Sequence, residues 1–170
     1  MKKLLISAGA IAALALSSAP AQAATPTNGQ ATATARIYTP LTLVMDRSLD
    51  FGTIVKSGTG AYTDTIVMDL AGGISGCANV VCAASGQTAQ YTATGTQGAT
   101  VAVTVSPTIA MSNLTTTTAP DLTLTVNAPA SVTLDATGNN TFDLAGSIQV
   151  SDTTAEGLYE GTFDVSADYQ

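Results

Sequence analysis

The sequence predicts an all-β protein, an antiparallel, immunoglobulin-like two-sheet sandwich. Three observations carry that prediction. Apolar residues recur at every second position in many short runs, no run after Ala24 sustains a 3.6-residue period, and turn residues punctuate the runs at short intervals. The 29 threonines fill many of the outward positions, where a β-branched hydroxyl suits a pleated, half-solvated surface.

The first 23 residues stand apart from this pattern. Met1-Lys2-Lys3 is basic, Leu4 to Leu16 is an apolar run, and Ser17 to Ala23 is a small-residue stretch ending in Ala21-Gln22-Ala23. That is the three-part layout of a secretory signal peptide, and the run falls short of the roughly 20 residues a membrane span needs. Cleavage after Ala23 leaves residues 24–170, read as a single β-sandwich domain with 24–30 as a flexible N-terminal extension. Only Arg36, Arg47 and Lys56 then oppose twelve acidic residues, a net charge of −9. The expectation is an exported chain, in the periplasm in transit and then at the cell surface or outside it, with no membrane insertion after cleavage.

Strands are expected near 31–38, 40–46, 61–69, 88–94, 99–106, 121–127, 130–135, 142–151 and 159–169. Val101, Val103 and Val105 alternate with Ala102 and Thr104; Leu122, Leu124 and Val126 alternate with Thr123 and Thr125; Phe163, Val165, Ala167 and Tyr169 close the chain in the same rhythm. Gly58-Thr59-Gly60, Gly72-Gly73, Gly95-Thr96-Gln97-Gly98, Asn127-Ala128-Pro129 and Gly138-Asn139-Asn140 supply the turns. The Thr115 to Thr118 run reads as a loop. An outer-membrane barrel would also alternate, but it needs aromatic girdles, and eight scattered aromatics do not make them.

Composition excludes much chemistry. With no His there is no Ser-His-Asp or Cys-His system and no His-ligated zinc. Few basic residues leave no footprint for nucleic acid. Asp46 and Asp50 flank Arg47, and Asp164 and Asp168 point to solvent from the last strand, so no carboxylate pair converges as a glycosidase requires. Residues 151–156, Ser-Asp-Thr-Thr-Ala-Glu, read as an acidic turn rather than an ion loop. No enzyme and no cofactor are expected. Cys77 and Cys82 are the only cysteines; export permits them to close a small loop that tightens the chain locally.

The C-terminus carries a resemblance. Gly157-Leu158-Tyr159-Glu160-Gly161-Thr162-Phe163 leads into an alternating strand with Tyr169 penultimate and Gly157 fourteenth from the end. In these features the chain resembles subunits of bacterial fimbriae assembled by the chaperone–usher route. Together with Leu49-Asp50-Phe51-Gly52-Thr53-Ile54 and Ala145-Gly146-Ser147-Ile148-Gln149-Val150, they look like a secreted, fimbria-like bacterial family catalogued as domain of unknown function 4402. The resemblance implies a pilin-like sandwich lacking one strand, completed by β-augmentation from a periplasmic chaperone and then from sister pilus subunits. It makes Gly157, Tyr159, Gly161, Phe163, Val165, Ala167 and Tyr169 a wall of the partner-strand groove, and Ala31, Ala33, Ala35 and Ile37 the donor segment. Those three alanines are small and would bury little apolar area. The expected function is therefore a structural subunit of a surface fimbria or related extracellular assembly. The alternative is a self-contained secreted β-sandwich that binds a glycan or cell-surface ligand without polymerising.

Overall fold

The computed structural model describes residues 29–82 and 86–170, so the expected signal peptide lies outside the described residues. The chain divides into residues 1–35 and 36–170. Of the first part, residues 29–35 are exposed and outside any strand. The second part is all-β, as the alternation predicts, and every strand pairing in it is antiparallel.

Among the described residues thirteen strands follow one another: β1 (Thr42–Arg47), β2 (Ile54–Lys56), β3 (Thr63–Met68), β4 (Ile74–Ser75), β5 (Val80–Cys82), β6 (Ala89–Thr94), β7 (Thr100–Val105), β8 (Thr108–Asn113), β9 (Leu122–Asn127), β10 (Ser131–Thr133), β11 (Asn139–Ser151), β12 (Tyr159–Glu160) and β13 (Val165–Tyr169). The large sheet runs β1-β6-β11-β9-β8-β12, with β3 paired to β11 and β4 to β3. A three-stranded sheet, β10-β7-β13, and a two-stranded ribbon, β2-β5, complete the sandwich.

Two long elements join these layers. β7 and β8 are separated only by Ser106-Pro107, and their partners β10 and β9 keep one register throughout: Ala102 lies opposite Ser131, Thr108 opposite Thr125. Proline cannot donate to a ladder, so the strand bends there and passes from one sheet to the other. β11 instead changes partners. Asn139–Leu144 pair with β6, and the rest pairs with β3 and β9. At the handover Ala145 and Gly146 are both buried, which breaks the period of two.

The core between the layers is built from Ile66, Met68, Val101, Leu134 and Leu144, all fully buried, with Tyr91 stacked near Phe142 at 6.1 Å. Each such side chain contributes about 1.5–3 kcal/mol by leaving water. Among the described residues three polar side chains are buried, those of Asp64, Thr88 and Asn113; Asp64 on β3, 4% exposed, accepts from the backbone N–H and the side-chain Nδ2 of Asn79. Those hydrogen bonds, led by the Asn79 side chain, outweigh burial and hold its carboxyl below the ordinary 3.8.

Several sequence expectations change. Residues 31–38 form no strand; all are exposed, because Ala and Thr alternating offer too little apolar area to hold a sheet edge. The single strand expected over 159–169 is two, β12 and β13, interrupted at Gly161–Asp164. The alternation predicts no strand where β2, β4, β5 and β8 form. Thr115 to Thr118 lie in a loop, between β8 and β9. Cys77 and Cys82 form a disulfide with Cα atoms 6.2 Å apart, and Cys82 sits on β5 opposite Ile54 of β2.

Candidate functional site

A groove of about 580 Å³ opens where the large sheet is not covered by the three-stranded one. Its floor is the inner face of the large sheet, where Ile148 and Val150 of β11 are buried beside Met111 of β8 and Leu122 of β9. Two lengths of backbone form its walls, residues 49–56 on one side and 154–159 on the other. Among the described residues the strand in each wall has a single partner: β2 pairs with β5, and β12 ends the large sheet by pairing with β8. Each wall therefore presents a sheet edge with backbone groups available to another strand.

The first wall is shaped by Asp50. It exchanges two backbone hydrogen bonds with Gln87 (2.8 and 2.7 Å), and its Oδ1 accepts from the Gly52 N–H at 2.7 Å. That short-range bond turns the chain at Gly52, whose φ of +69° suits glycine, and delivers Phe51 into the core. The chain then extends as β2, which the Cys77–Cys82 disulfide steadies from behind through β5.

The second wall depends on Asn113, only 3% exposed, at the end of β8. Its Nδ2 donates to the Glu156 carbonyl at 3.0 Å, while its Oδ1 accepts from the Thr115 and Thr116 N–H groups at 2.9 and 2.7 Å. Gly157 lies against this amide with φ +143°, and a Cβ there would collide with the Asn113 side chain. Tyr159 Oη donates to the Ala155 carbonyl at 3.1 Å and closes the turn. Lys56 ties the walls together at one end. Its Nζ donates to the carbonyls of Asp152 and Thr154 at 2.7 and 2.8 Å, so the acidic segment 151–156 is bridged by a cation from this chain itself.

The expected wall residues divide into two groups. Gly157 and Tyr159 line the groove. Gly161, Phe163, Val165, Ala167 and Tyr169 do not; they continue along the same chain as a half-buried row facing the core. Among the described residues β13 is nonetheless an edge, paired with β7 alone. Across the core from it, Met45 on the inward face of the other edge strand, β1, remains 58% exposed. Tyr169 is fastened at the tip: its ring stacks on Tyr38 at 4.4 Å, its Oη accepts from the Thr96 N–H at 2.7 Å and donates to the Thr39 carbonyl at 2.9 Å. Of the donor segment, Ala31, Ala33 and Ala35 are exposed and Ile37 is 92% exposed. Phe51, Ile54, Lys56, Met111, Leu122 and Leu158 also shape the groove; of these the sequence motif Leu49 to Ile54 contains Phe51 and Ile54, and the others carry no site signal of their own.

Fold and groove together define a class of protein: an all-β antiparallel sandwich with an uncovered apolar channel between two singly paired edges. The family model described as "Domain of unknown function (DUF4402)" matches residues 41–169, and the chain belongs to that family. No curated protein and no solved structure matches the chain.

Proposed function

We propose that the mature chain is an exported, non-enzymatic building block of a fimbria-like surface assembly, joined to its neighbours by strand addition. The observation that carries this reading is the groove: an apolar floor between two backbone edges is the shape of an extended strand, not of a compact solute. The exposed segment 29–37, which the family match leaves out and which precedes the Tyr38 and Thr39 contacts with Tyr169, supports it as an arm available to another molecule. The three-part layout of a signal peptide in residues 1–23 supports reading the assembly as one formed outside the cytoplasm.

The test exploits Leu158, which lines the groove yet is 63% exposed. Replacing it with Arg puts a charge into the channel and alters stability by no more than about 0.5 kcal/mol, as for other exposed positions. Sedimentation of surface material from the producing cells should find the wild-type chain in large assemblies and Leu158→Arg excluded from them. Equal incorporation of the variant, or a wild-type chain present solely as free monomer, refutes the proposal.

A further inference from the structure

We infer that Tyr38 and Tyr169 form a modification site, at which one-electron oxidation by peroxide and a heme peroxidase joins the two rings as an intramolecular dityrosine. The inference does not depend on the strand-addition reading. Its basis is contact: the ring centroids lie 4.4 Å apart, with the planes 24° from parallel. The pair is pinned on both sides. The Thr39 N–H donates to Thr96 Oγ1 at 2.7 Å, while Tyr169 Oη accepts from the Thr96 N–H and donates to the Thr39 carbonyl. Two rings held in this way meet without the diffusional search that coupling between separate chains requires. Tyr38 is 37% exposed at the tip, where an oxidant reaches it.

Composition sends the oxidation to tyrosine. The chain has no Trp and both cysteines are taken up in the disulfide, so phenols are the side chains a one-electron oxidant meets first. Among the described residues no other two tyrosines stack: Tyr91 packs on Phe142 and is 8% exposed, Tyr62 Oη is buried, and Tyr159 Oη is tied to the Ala155 carbonyl. Burial alone would raise the Tyr169 pKa, but the hydrogen bonds at its oxygen, that of the Thr96 N–H first, bring it below the ordinary 10.0 and ease loss of the phenolic proton. Each ring gives one electron and that proton to the oxidant, leaving two phenoxyl radicals. A bond then forms between a ring carbon beside each C–O carbon, and the hydrogens on those two carbons pass to the oxygens and restore both phenols. The pair loses two hydrogen atoms in all, and one peroxide, taking up two electrons and two protons, becomes two waters. Bond formation needs an edge approach, which Tyr38 supplies from its segment outside any strand while Tyr169 is held by its oxygen. The new bond closes nearly the whole domain, from the segment ahead of β1 to the end of β13. In the chain-entropy account a cross-link stabilises more as the loop it closes lengthens, so this one outweighs the Cys77–Cys82 bridge across five positions.

A heme peroxidase and hydrogen peroxide acting on the dilute mature chain test the assignment. Trypsin cuts after Arg36, Arg47 and Lys56, which leaves Tyr38 on fragment 37–47 and the other four tyrosines on 57–170. Mass spectrometry is expected to find these two fragments joined through Tyr169, two hydrogens lighter than their sum. The yield should stay constant when the protein is diluted about tenfold, as an intramolecular step requires. Dityrosine fluorescence should vanish in Tyr38→Phe, which keeps the ring and loses only the hydroxyl. Joining should raise Tm by roughly 10 °C. A link through another tyrosine, equal fluorescence in Tyr38→Phe, or cross-linked dimers whose share grows with concentration overturns the inference. So does a chain that oxidises without joining its fragments, or a joined chain whose Tm is unchanged.

Discussion

Gly157→Ala is the most exacting test of how the second groove wall is held. The added Cβ meets two obstacles: a backbone at φ +143°, where L-residues are strained, and the Asn113 side chain lying against the glycine. Backbone strain of this kind costs about 1–3 kcal/mol. Asn113 makes three hydrogen bonds, to Glu156, Thr115 and Thr116, each with a net value of about 1 kcal/mol. Displacing it therefore forfeits about 2–3 kcal/mol more, for a total of about 3–6 kcal/mol out of the ~5–15 that a domain possesses. Asn113→Ala alone should cost about 3 kcal/mol by the same count. In the double variant the collision is gone, so Gly157→Ala adds only its backbone cost, and the two changes couple by about 2 kcal/mol. Urea unfolding of the disulfide-intact mature chain, with m checked for constancy, measures all four corners of the cycle. Additivity within about 0.5 kcal/mol would refute the claim that Gly157 is required because of Asn113.

Three further outcomes are expected. Asp64 has its folded pKa below the ordinary 3.8, so its stabilisation is complete above that pH and is lost as pH falls through the lowered value; a pH series of urea midpoints should show this acid limb, and Asp64→Asn should flatten it while weakening the fold near neutrality. Leu144→Ala, in the fully buried core, should cost about 2–5 kcal/mol, whereas Ile37→Ala at a 92% exposed position should stay within about 0.5 kcal/mol; equal effects in thermal unfolding would contradict the assignment of Ile37 to an arm. Replacing Cys77 and Cys82 together by Ser opens a short loop, a loss of roughly 2 kcal/mol, and hydrogen exchange should quicken first in β5 and its partner β2 rather than across the sandwich.

How much was legible depended on how regularly each segment buries alternate residues. β3, β6 and β9 bury Ile66 and Met68, then Ala89, Tyr91 and Ala93, then Leu124 and Val126, each set on one face, and each reads directly as a strand. The stretch 31–38 alternates equally well and is no strand, because period alone says nothing about how much surface each position removes from water. β8 carries a weak signal because Ile109 and Met111 are only half-buried and the segment runs into the Thr115 to Thr118 loop. β2 and β5 are three residues each, too short to establish a period. At the groove, Gly157 and Tyr159 were visible as a spaced ending, but Lys56 carries no local signal. Its partners are two carbonyls nearly a hundred residues away, and only the fold brings them together.

The continuous register of β7–β8 against β9–β10 has a bearing on the order in which the chain can fold. That ribbon closes through the single loop between Asn113 and Leu122, so its contacts are local and carry a modest loop-closure cost. β12 and β13 are the last residues of the sequence, and they must find partners far upstream, Tyr159 opposite Asn113 and Tyr169 opposite Val101. Pairings of this separation form late, and until they do the ribbon keeps an open side. One groove wall is thus absent for much of the folding reaction, and the apolar floor beneath it lies bare. The surface that would serve a neighbour is the same one that leaves the chain most vulnerable while it folds.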